Sequence, residues 1–361
     1  MSDIRRIGLL TGGGDCPGLN AVIRAVTRTA LHNGIQVMGV LDGFSGLVNN
    51  QFRMLHENDV SGILPRGGTI LGTSNKADPF NCAEIGTDGG MVKRDCSDRA
   101  LFNMERAGIE ALVVTGGDGS QTIGLKLFEK GVQVVGIPKT IDNDLMGTDI
   151  TFGFDSALHC ATDALDRLHT TAESHHRVMV LEVMGRNSGW IALMSGIAGG
   201  GDIILIPEID FTYENIVRRI RDRREAGKKF SIVVVAEGAR LPDGSVVSRT
   251  SPTGATLLGG VSAVIAPQVE EISGMETRVT VLGHLQRGGS PSPFDRVLAT
   301  RFGAKAVELV MEGQYGRMVC LKTPQISSVP IEVAVARQKK VPCDGEIVRF
   351  ARSVGVSFGD G

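Results

Sequence analysis

Val132-Gln133-Val134-Val135-Gly136-Ile137 is an apolar run that ends in Pro138-Lys139-Thr140-Ile141-Asp142-Asn143-Asp144, where two carboxylates stand two residues apart. A short valine-rich run bounded by turn residues reads as a strand buried on both faces. In an α/β protein the carboxyl ends of parallel strands are where ligands bind. A turn that offers one hydroxyl, one amide and two acids there can hold a metal ion or take a proton from a substrate hydroxyl. In isolation the same residues also fit an Asx-type turn, in which Asn and Asp bond to their own backbone.

Two upstream stretches share this plan. Ile7 to Thr11 ends in Gly12-Gly13-Gly14-Asp15-Cys16-Pro17-Gly18-Leu19-Asn20, after which Val22, Ile23, Val26 and Ala30 recur at helical spacing. Ala111 to Thr115 ends in Gly116-Gly117-Asp118-Gly119-Ser120, followed by a helix over Gln121 to Lys130. A strand, a glycine-rich turn and a helix start make a site for a phosphate or another anion. There is no G-x-x-x-x-G-K-[ST], and the G-x-G-x-x-G register fails at Pro17, so neither the P-loop nor the dinucleotide fingerprint applies. Alternating βα units imply an α/β fold with a parallel sheet and right-handed crossovers, which puts all three loops on one edge.

The second half continues the alternation. A helical pattern over Ala157 to Thr171 precedes the strand Val178 to Val183, which runs into Met184-Gly185-Arg186-Asn187-Ser188-Gly189-Trp190. Asp202 to Ile206 and Ser231 to Ala236 read as strands, Gly254 to Glu271 as a helix, and Thr277 to Leu282 as a strand before Gly283-His284-Leu285-Gln286-Arg287-Gly288-Gly289. The tail beyond Tyr315 is weakly patterned, with a helical stretch near Val333 to Lys339. The strand ends here carry Arg177, Arg186, Arg278, Arg287 and His284, whereas the first half offers glycine and aspartate. Backbone amides and an aspartate with Mg²⁺ suit a nucleotide polyphosphate. Arginines suit a second phosphate by bidentate pairing.

Composition sets the outer bounds. A chain of 361 residues exceeds the size at which single cores stop growing, so two lobes are expected. The net charge of −2 argues against nucleic acid and against anionic lipid as partners. Glycine, at 48 residues, has roughly twice its usual share and clusters at the ends of apolar runs, which suggests backbone approaching a ligand closely. No apolar run approaches the ~18 residues that cross a bilayer. The opening Met1-Ser2-Asp3-Ile4-Arg5-Arg6 runs straight into a strand and leaves no room for a signal peptide. Six cysteines without C-x-x-C spacing point to buried reduced thiols rather than zinc ligands or disulfides. A cytoplasmic protein is expected.

With these motifs in order, the chain from Ile7 to about Gly316 resembles the 6-phosphofructokinase family. The resemblance implies two Rossmann-like lobes with mainly parallel sheets flanked by helices and an active site in the cleft between them. Residues 1–153 with about 286–336 would form the donor (ATP and Mg²⁺) lobe, and residues 154–285 with about 337–361 the fructose 6-phosphate lobe. The implied reaction moves the γ-phosphoryl of ATP to the 1-hydroxyl of fructose 6-phosphate, giving fructose 1,6-bisphosphate in glycolysis.

Asp142 matches the family's catalytic base, and Thr140 matches a residue that contacts the reacting groups. Asp118 matches the magnesium-associated acid, while Gly14 and Arg186 match groups that stabilise charge on the transferred phosphoryl. For the sugar phosphate, the resemblance implies Thr140, Ile141, Asp142, Arg177, Met184, Gly185, Arg186, Glu237, Arg278, His284, Leu285, Gln286 and Arg287. In the family the counterparts of Arg177 and Arg278 reach in from a neighbouring subunit, so a homo-oligomer with shared sites is implied, a tetramer or failing that a dimer. For ATP the matching positions are Gly14, Asn75, Lys76, Gly117, Asp118, Gly119 and Ser120.

The donor turns on two positions. Pyrophosphate-using relatives carry an aspartate after Gly-Gly-Asp and a lysine before Thr-Ile-Asp. Here Gly119 leaves the space of the ATP α-phosphate open, while Lys139 is pyrophosphate-like. Asn75 also stands where well-known bacterial ATP users have an arginine. A bulky anion excludes ATP whereas a lysine accompanies either donor, so ATP is favoured and pyrophosphate is the alternative. A non-catalytic nucleotide-sensing subunit is a further alternative, though such a chain would be expected to lose Asp142 or the arginines.

Overall fold

Runs such as Ala111-Leu112-Val113-Val114-Thr115 lack polar alternation, as a strand covered by helices on both faces requires. Every residue of Ala111–Gly116, Val134–Pro138, Val178–Val183 and Ser231–Ala236 is buried. The computed structural model describes residues 4–85, 90–250 and 256–361, so Met1 to Asp3 of the expected leaderless start lie outside the described residues.

In chain order the strands are β1 Arg6–Thr11, β2 Gln36–Val40, β3 Phe52–Leu55, β4 Cys82–Ile85, β5 Met91–Arg94, β6 Ala111–Gly116, β7 Val134–Pro138, β8 Val178–Val183, β9 Ile203–Leu205, β10 Ser231–Ala236, β11 Ser248–Thr250, β12 Thr256–Leu258, β13 Thr277–Val281, β14 Arg317–Lys322 and β15 Gln325–Pro330. The helices are α1 Leu19–His32, α2 Phe44–Asn49, α3 Ser97–Arg106, α4 Asp118–Glu129, α5 Phe154–His175, α6 Trp190–Ala198, α7 Tyr213–Glu225, α8 Val261–Ser273, α9 Pro293–Met311, α10 Ile331–Val335 and α11 Glu346–Ser353. This is an α/β fold, and the chain divides into two units. Unit 1 is Met1–Ile141, Leu145–Asp155 and Arg287–Gln338; unit 2 is Asp142–Asp144, Ser156–Gln286 and Lys339–Gly361.

The sheet of unit 1 has the strand order β15-β14-β7-β6-β1-β2-β3. β14, β7, β6, β1 and β2 run parallel, and β15 and β3 pair antiparallel at the two edges. β1, β6 and β7 are therefore parallel neighbours, and the glycine and acidic loops that follow them leave the same edge. On one face Leu10, Leu112, Val114 and Val134 join Phe44, Ala100, Leu127 and Met318 in a continuous core. α1 and α9 pack closely: a Cβ on Gly303 would lie 2.7 Å from the Ala25 Cβ. Ser292 caps α9, its hydroxyl accepting from the Asp295 amide at 3.2 Å, with Pro293 in the first turn.

The sheet of unit 2 has the order β13-β8-β10-β9, all parallel. Its core joins Val178, Val180, Val233 and Val235 to Ile216, Ile220, Ile265 and Val269 from α7 and α8. β13 is an edge strand whose Val279 and Val281 are exposed. Ile203 of β9 also bridges to Ser357, so the last residues of the chain extend this sheet.

Two elements differ from expectation. The segment expected as one helix from Gly254 contains β12 and then α8 from Val261, because Gly259 and Gly260 take φ of 118° and 92°, outside helical geometry; Gly254 and Ala255 lie outside the described residues. The tail helix spans Ile331–Val335 and stops before Lys339, since Gln338 bridges to Leu145 instead. Of the six thiols expected to be buried, Cys16, Cys96 and Cys320 are, whereas Cys82 and Cys160 are half-buried and Cys343 is exposed. Among the described residues no helix is long and apolar enough to cross a membrane.

Candidate active site

The acidic turn is anchored at both ends by apolar side chains. Ile141 and Leu145 are fully buried in unit 1, and burial of side chains of this size is worth about 1.5–3 kcal/mol each. The residues between them belong to unit 2: Asn143 is buried, while Asp142 and Asp144 are half-buried. Asn143 has φ of 49°, in the left-handed region that asparagine tolerates better than most residues. Each residue of the turn is tied down. The Ser188 hydroxyl donates to the Asp142 carbonyl at 3.2 Å, the Lys339 ammonium to Asn143 Oδ1 at 3.0 Å, and the Lys339 amide to the Asp144 carbonyl at 2.7 Å. Just before the turn, the half-buried Thr140 accepts at its carbonyl from Thr151 Oγ1 at 2.8 Å.

In unit 1 the loop after β1 is pinned by main-chain bonds. Gly12 N–H donates to the Thr115 carbonyl at 2.9 Å and Gly13 N–H to the Ser74 carbonyl at 3.2 Å. Lys139, buried at the end of β7, donates its ammonium to the Gly14 carbonyl. Arg287 Nη1 donates to the Asp15 carbonyl at 3.1 Å, and its guanidinium lies so near Gly14 that a Cβ there would be 2.8 Å from Nη1. Gly14 is thus a place where two cations meet bare backbone.

The loop after β6 opens α4, with Gly117 as N-cap and Asp118, Gly119 and Ser120 in the first turn, whose amides face outward at the positive end of the helix dipole. Ser120 is buried, and a Cβ on Gly12 would lie 2.6 Å from its hydroxyl, so that side chain packs the two glycine loops together. Gly119 is exposed, and a Cβ placed on it meets nothing within 4 Å. Gln121 donates Nε2 to the carbonyls of Val114, Gly116 and Ile137 at 3.2, 3.1 and 2.9 Å, stitching the ends of β6 and β7. Burial pushes the Asp118 carboxyl above its usual range, so its anion lacks solvation that a bound cation would restore. One half-buried carboxylate beside an anion-binding helix end fits Mg²⁺, which takes one or two protein carboxylates and completes its shell with substrate phosphates. A cleft of about 260 Å³ nearby is lined by Phe44, Ser45, Ser74, Lys76, Asp78 and Arg99; Asn75 and Lys76 are exposed.

In unit 2, Met184, Gly185 and Arg186 follow β8, and Glu237 follows β10. Gly238 N–H donates to the Gly185 carbonyl at 3.1 Å, and a Cβ on Gly238 would strike the Arg186 carbonyl at 2.0 Å. These loops pack backbone to backbone, which leaves Arg186 exposed. His284 and Leu285 are exposed after β13, whereas the side chains of Gln286 and Ile141 are buried and shut away from solvent. Arg287 belongs to unit 1, against the Gly14–Asp15 loop.

Arg177 and Arg278 stand elsewhere. Arg177 precedes β8 and Arg278 lies near the start of β13, so both occupy the amino-terminal edge of the sheet. Met184 and Arg186 lie beyond its carboxyl edge, about 20 Å of extended chain away. Both arginines engage Glu276, Arg177 Nε at 2.7 Å from Oε2 and Arg278 at the other oxygen. The hydrogen bond from Arg177, more than any other cause, holds the Glu276 carboxyl below its usual range.

Several positioning groups escaped the sequence reading. Glu182 is buried in β8, and its carboxylate accepts from Gly260 N–H at 2.7 Å, Ser262 N–H at 2.9 Å and the Ser262 hydroxyl at 2.5 Å, capping α8. A lone acid in an apolar strand was its signal, since buried acids need partners. Glu208 accepts from Gly189 N–H at 3.0 Å and Val341 N–H at 2.9 Å, and burial pushes its carboxyl up. Lys339 gave no signal in the weakly patterned tail.

A family model described as Phosphofructokinase matches residues 6–310. The ATP-dependent 6-phosphofructokinase 2 of Clostridium perfringens is 53% identical over 366 positions, covering all of both chains. The phosphofructokinase structure from Saccharomyces cerevisiae superimposes with a TM-score of 0.78 at 33% identity, covering 92% of this chain and 45% of that one. This chain therefore spans less than half of the yeast polypeptide. A pyrophosphate-dependent phosphofructokinase from Nitrosospira multiformis gives a TM-score of 0.80 over 98% of this chain and 89% of that one at 22% identity, a likeness of fold alone. Identity above one half along the entire length leaves no room for another assignment: the chain belongs to the phosphofructokinase family.

Proposed function

We propose that this chain transfers the γ-phosphoryl of ATP to the 1-hydroxyl of fructose 6-phosphate, giving fructose 1,6-bisphosphate in glycolysis. The observation that carries the choice of donor is Gly119: exposed in the first turn of α4, it leaves room that a nucleotide's inner phosphate can occupy. The 53% identity to a relative named ATP-dependent agrees. Lys139 does not oppose it, because its ammonium is bonded to the Gly14 carbonyl, a use that any donor permits.

In this reading the loops of unit 1 after β1 and β6 take the donor, with Gly14, Asn75, Lys76, Gly117, Asp118, Gly119 and Ser120. Arg186, Met184, Gly185, Glu237 and His284 of unit 2, with Arg287 of unit 1, take the sugar phosphate. Asp142 removes the proton of the 1-hydroxyl as that oxygen bonds to the γ-phosphorus. The bond from the γ-phosphorus to its bridging oxygen breaks, and ADP leaves with the electron pair. Gly14 N–H and Arg186 stabilise charge on the phosphoryl in flight; positioning and electrostatics of this kind are most of what such transfers need. Mg²⁺, when bound with the donor at Asp118, supplies neutralisation of phosphate charge.

The same reading makes the protein a homo-oligomer with shared sites. Arg177 and Arg278 sit on the opposite sheet edge from Met184 and Arg186, which supports their serving a neighbour's sugar phosphate. The exposed edge of β13 supports an assembly as well. Mixing Arg278→Ala with Asp142→Asn protein, each inactive alone, then restores activity through hybrid sites; no recovery in confirmed hybrids would count against sharing.

Initial rates of fructose 1,6-bisphosphate formation with ATP or pyrophosphate as sole donor test the central claim. ATP alone should support turnover. Turnover with pyrophosphate alone would overturn the donor assignment. Asp142→Asn should lower kcat by ~10²–10⁴-fold and leave sugar-phosphate affinity nearly intact.

A further inference from the structure

The Asp142–Asp144 turn is short, carries a residue in the left-handed region, and must present its carboxylate repeatably. Its restraints come largely from far along the chain. Lys339 binds it twice, by its ammonium to Asn143 Oδ1 at 3.0 Å and by its amide to the Asp144 carbonyl at 2.7 Å. Lys339 is itself held. Trp190 Nε1 donates to the Lys339 carbonyl at 2.9 Å, and the ammonium stands 5.8 Å from the centre of the Trp190 ring. Two residues on, Val341 N–H donates to Glu208 Oε1 at 2.9 Å, and the same carboxylate accepts from Gly189 N–H beside Trp190. Residues 339–341 thus form a strap that joins the acidic turn to the start of α6, wholly within unit 2.

We infer that Lys339 is a positioning residue for phosphoryl transfer, fixing the turn through Asn143 and Asp144 so that the Asp142 carboxylate keeps one orientation toward the acceptor hydroxyl. The inference rests on the proposed role of Asp142 as base. Alignment matters here because small misplacements at a reacting centre cost large factors in rate. The strap acts on the turn through Asn143 and Asp144, so its loss lowers turnover more than it weakens either substrate's binding.

The chain holds a single tryptophan, Trp190, which makes the strap visible by fluorescence. In the full-length protein, Lys339→Met should lower kcat about 10- to 100-fold with both Michaelis constants within about twofold of wild type. Acrylamide quenching of Trp190 should increase, and Lys339→Arg, which keeps the cation, should restore most of the rate. Asn143→Gly keeps the left-handed backbone but removes the amide; it should cost a similar factor, and Lys339→Met added to it should cost little more. Wild-type kcat in Lys339→Met would overturn the inference, as would a fall in kcat matched by an equal rise in the sugar-phosphate Michaelis constant. Full additivity of the two substitutions would also overturn it. An inactive wild-type enzyme would instead sink the proposed function, a different result from an active enzyme indifferent to Lys339.

Discussion

The ammonium of Lys139, at the end of β7, donates to the main-chain carbonyl of Gly14 in the loop after β1. A buried cation is thereby spent on backbone, and it fixes the loop that would face the donor phosphates. Lys139→Met should raise the Michaelis constant for ATP about tenfold, since a loop amide displaced by an orphaned carbonyl loses a hydrogen bond's worth of binding. It should not create or abolish use of pyrophosphate. Kinetics with both donors check this; unchanged ATP kinetics would remove Lys139 from the donor loop.

Gly119 can be tested against its own helix. Glycine in a helical turn costs about 0.5–1 kcal/mol relative to alanine, and an acid in the first turn gains about 0.3–1 kcal/mol from the dipole. With nothing within 4 Å of its Cβ, aspartate fits there without strain. Gly119→Asp should raise Tm slightly while lowering kcat/KM for ATP at least about tenfold, the trade expected where a residue is kept for function. A variant with normal ATP kinetics would show that the donor does not pass this position.

Glu276 pairs with two arginines, one at each carboxylate oxygen. Its carboxyl is depressed from 4.5, chiefly by the Arg177 hydrogen bond. A depressed carboxyl contributes stability above its ordinary value and loses it as pH falls through the lowered one. Wild type should therefore melt above Glu276→Gln at pH 7, and the two should converge well below pH 4.5. If Arg177 and Arg278 grip the sugar phosphate, Glu276→Gln should also lower the Michaelis constant for fructose 6-phosphate by a few-fold. A rise would mean that Glu276 orients the arginines instead of competing for them.

Cys16 lies beside the donor loop, but burial pushes its thiol up to about 12. The thiolate is the reactive form, so iodoacetamide at pH 8 should leave Cys16 intact in the folded protein and modify the exposed Cys343. Peptide mass spectrometry reads both sites. Equal labelling would mean that the loop over Cys16 opens on the time scale of the reaction.

The fold class was legible because central parallel strands are written as apolar runs without polar alternation, and β6, β7, β10 and, but for Glu182, β8 read that way. The common edge of the three loops followed from βα alternation alone. β15, and the break at two left-handed glycines that sets the start of α8, were not legible, since a half-exposed hairpin and a backbone break leave only faint patterns. Within the candidate site, glycines and acids advertised themselves, but their partners did not. The contact of Lys139 with Gly14 spans 125 residues and that of Lys339 with Asn143 spans 196, and no local signal reports either. The place of Arg177 and Arg278 at the amino edge could have been read, because each comes at or before the start of its strand.

β14, which begins at Arg317, lies beside β7, which ends at Pro138, in one sheet. The intervening chain includes Ser156–Gln286 of unit 2. On a ribosome adding about 5–20 residues per second, the outer edge of β7 waits roughly 10–40 s for its neighbour. An unpaired strand edge is a template for sticking to other chains. Unit 1 therefore cannot finish folding in the order in which it is made, and its nascent half must be kept apart from its sister chains until β14 has emerged.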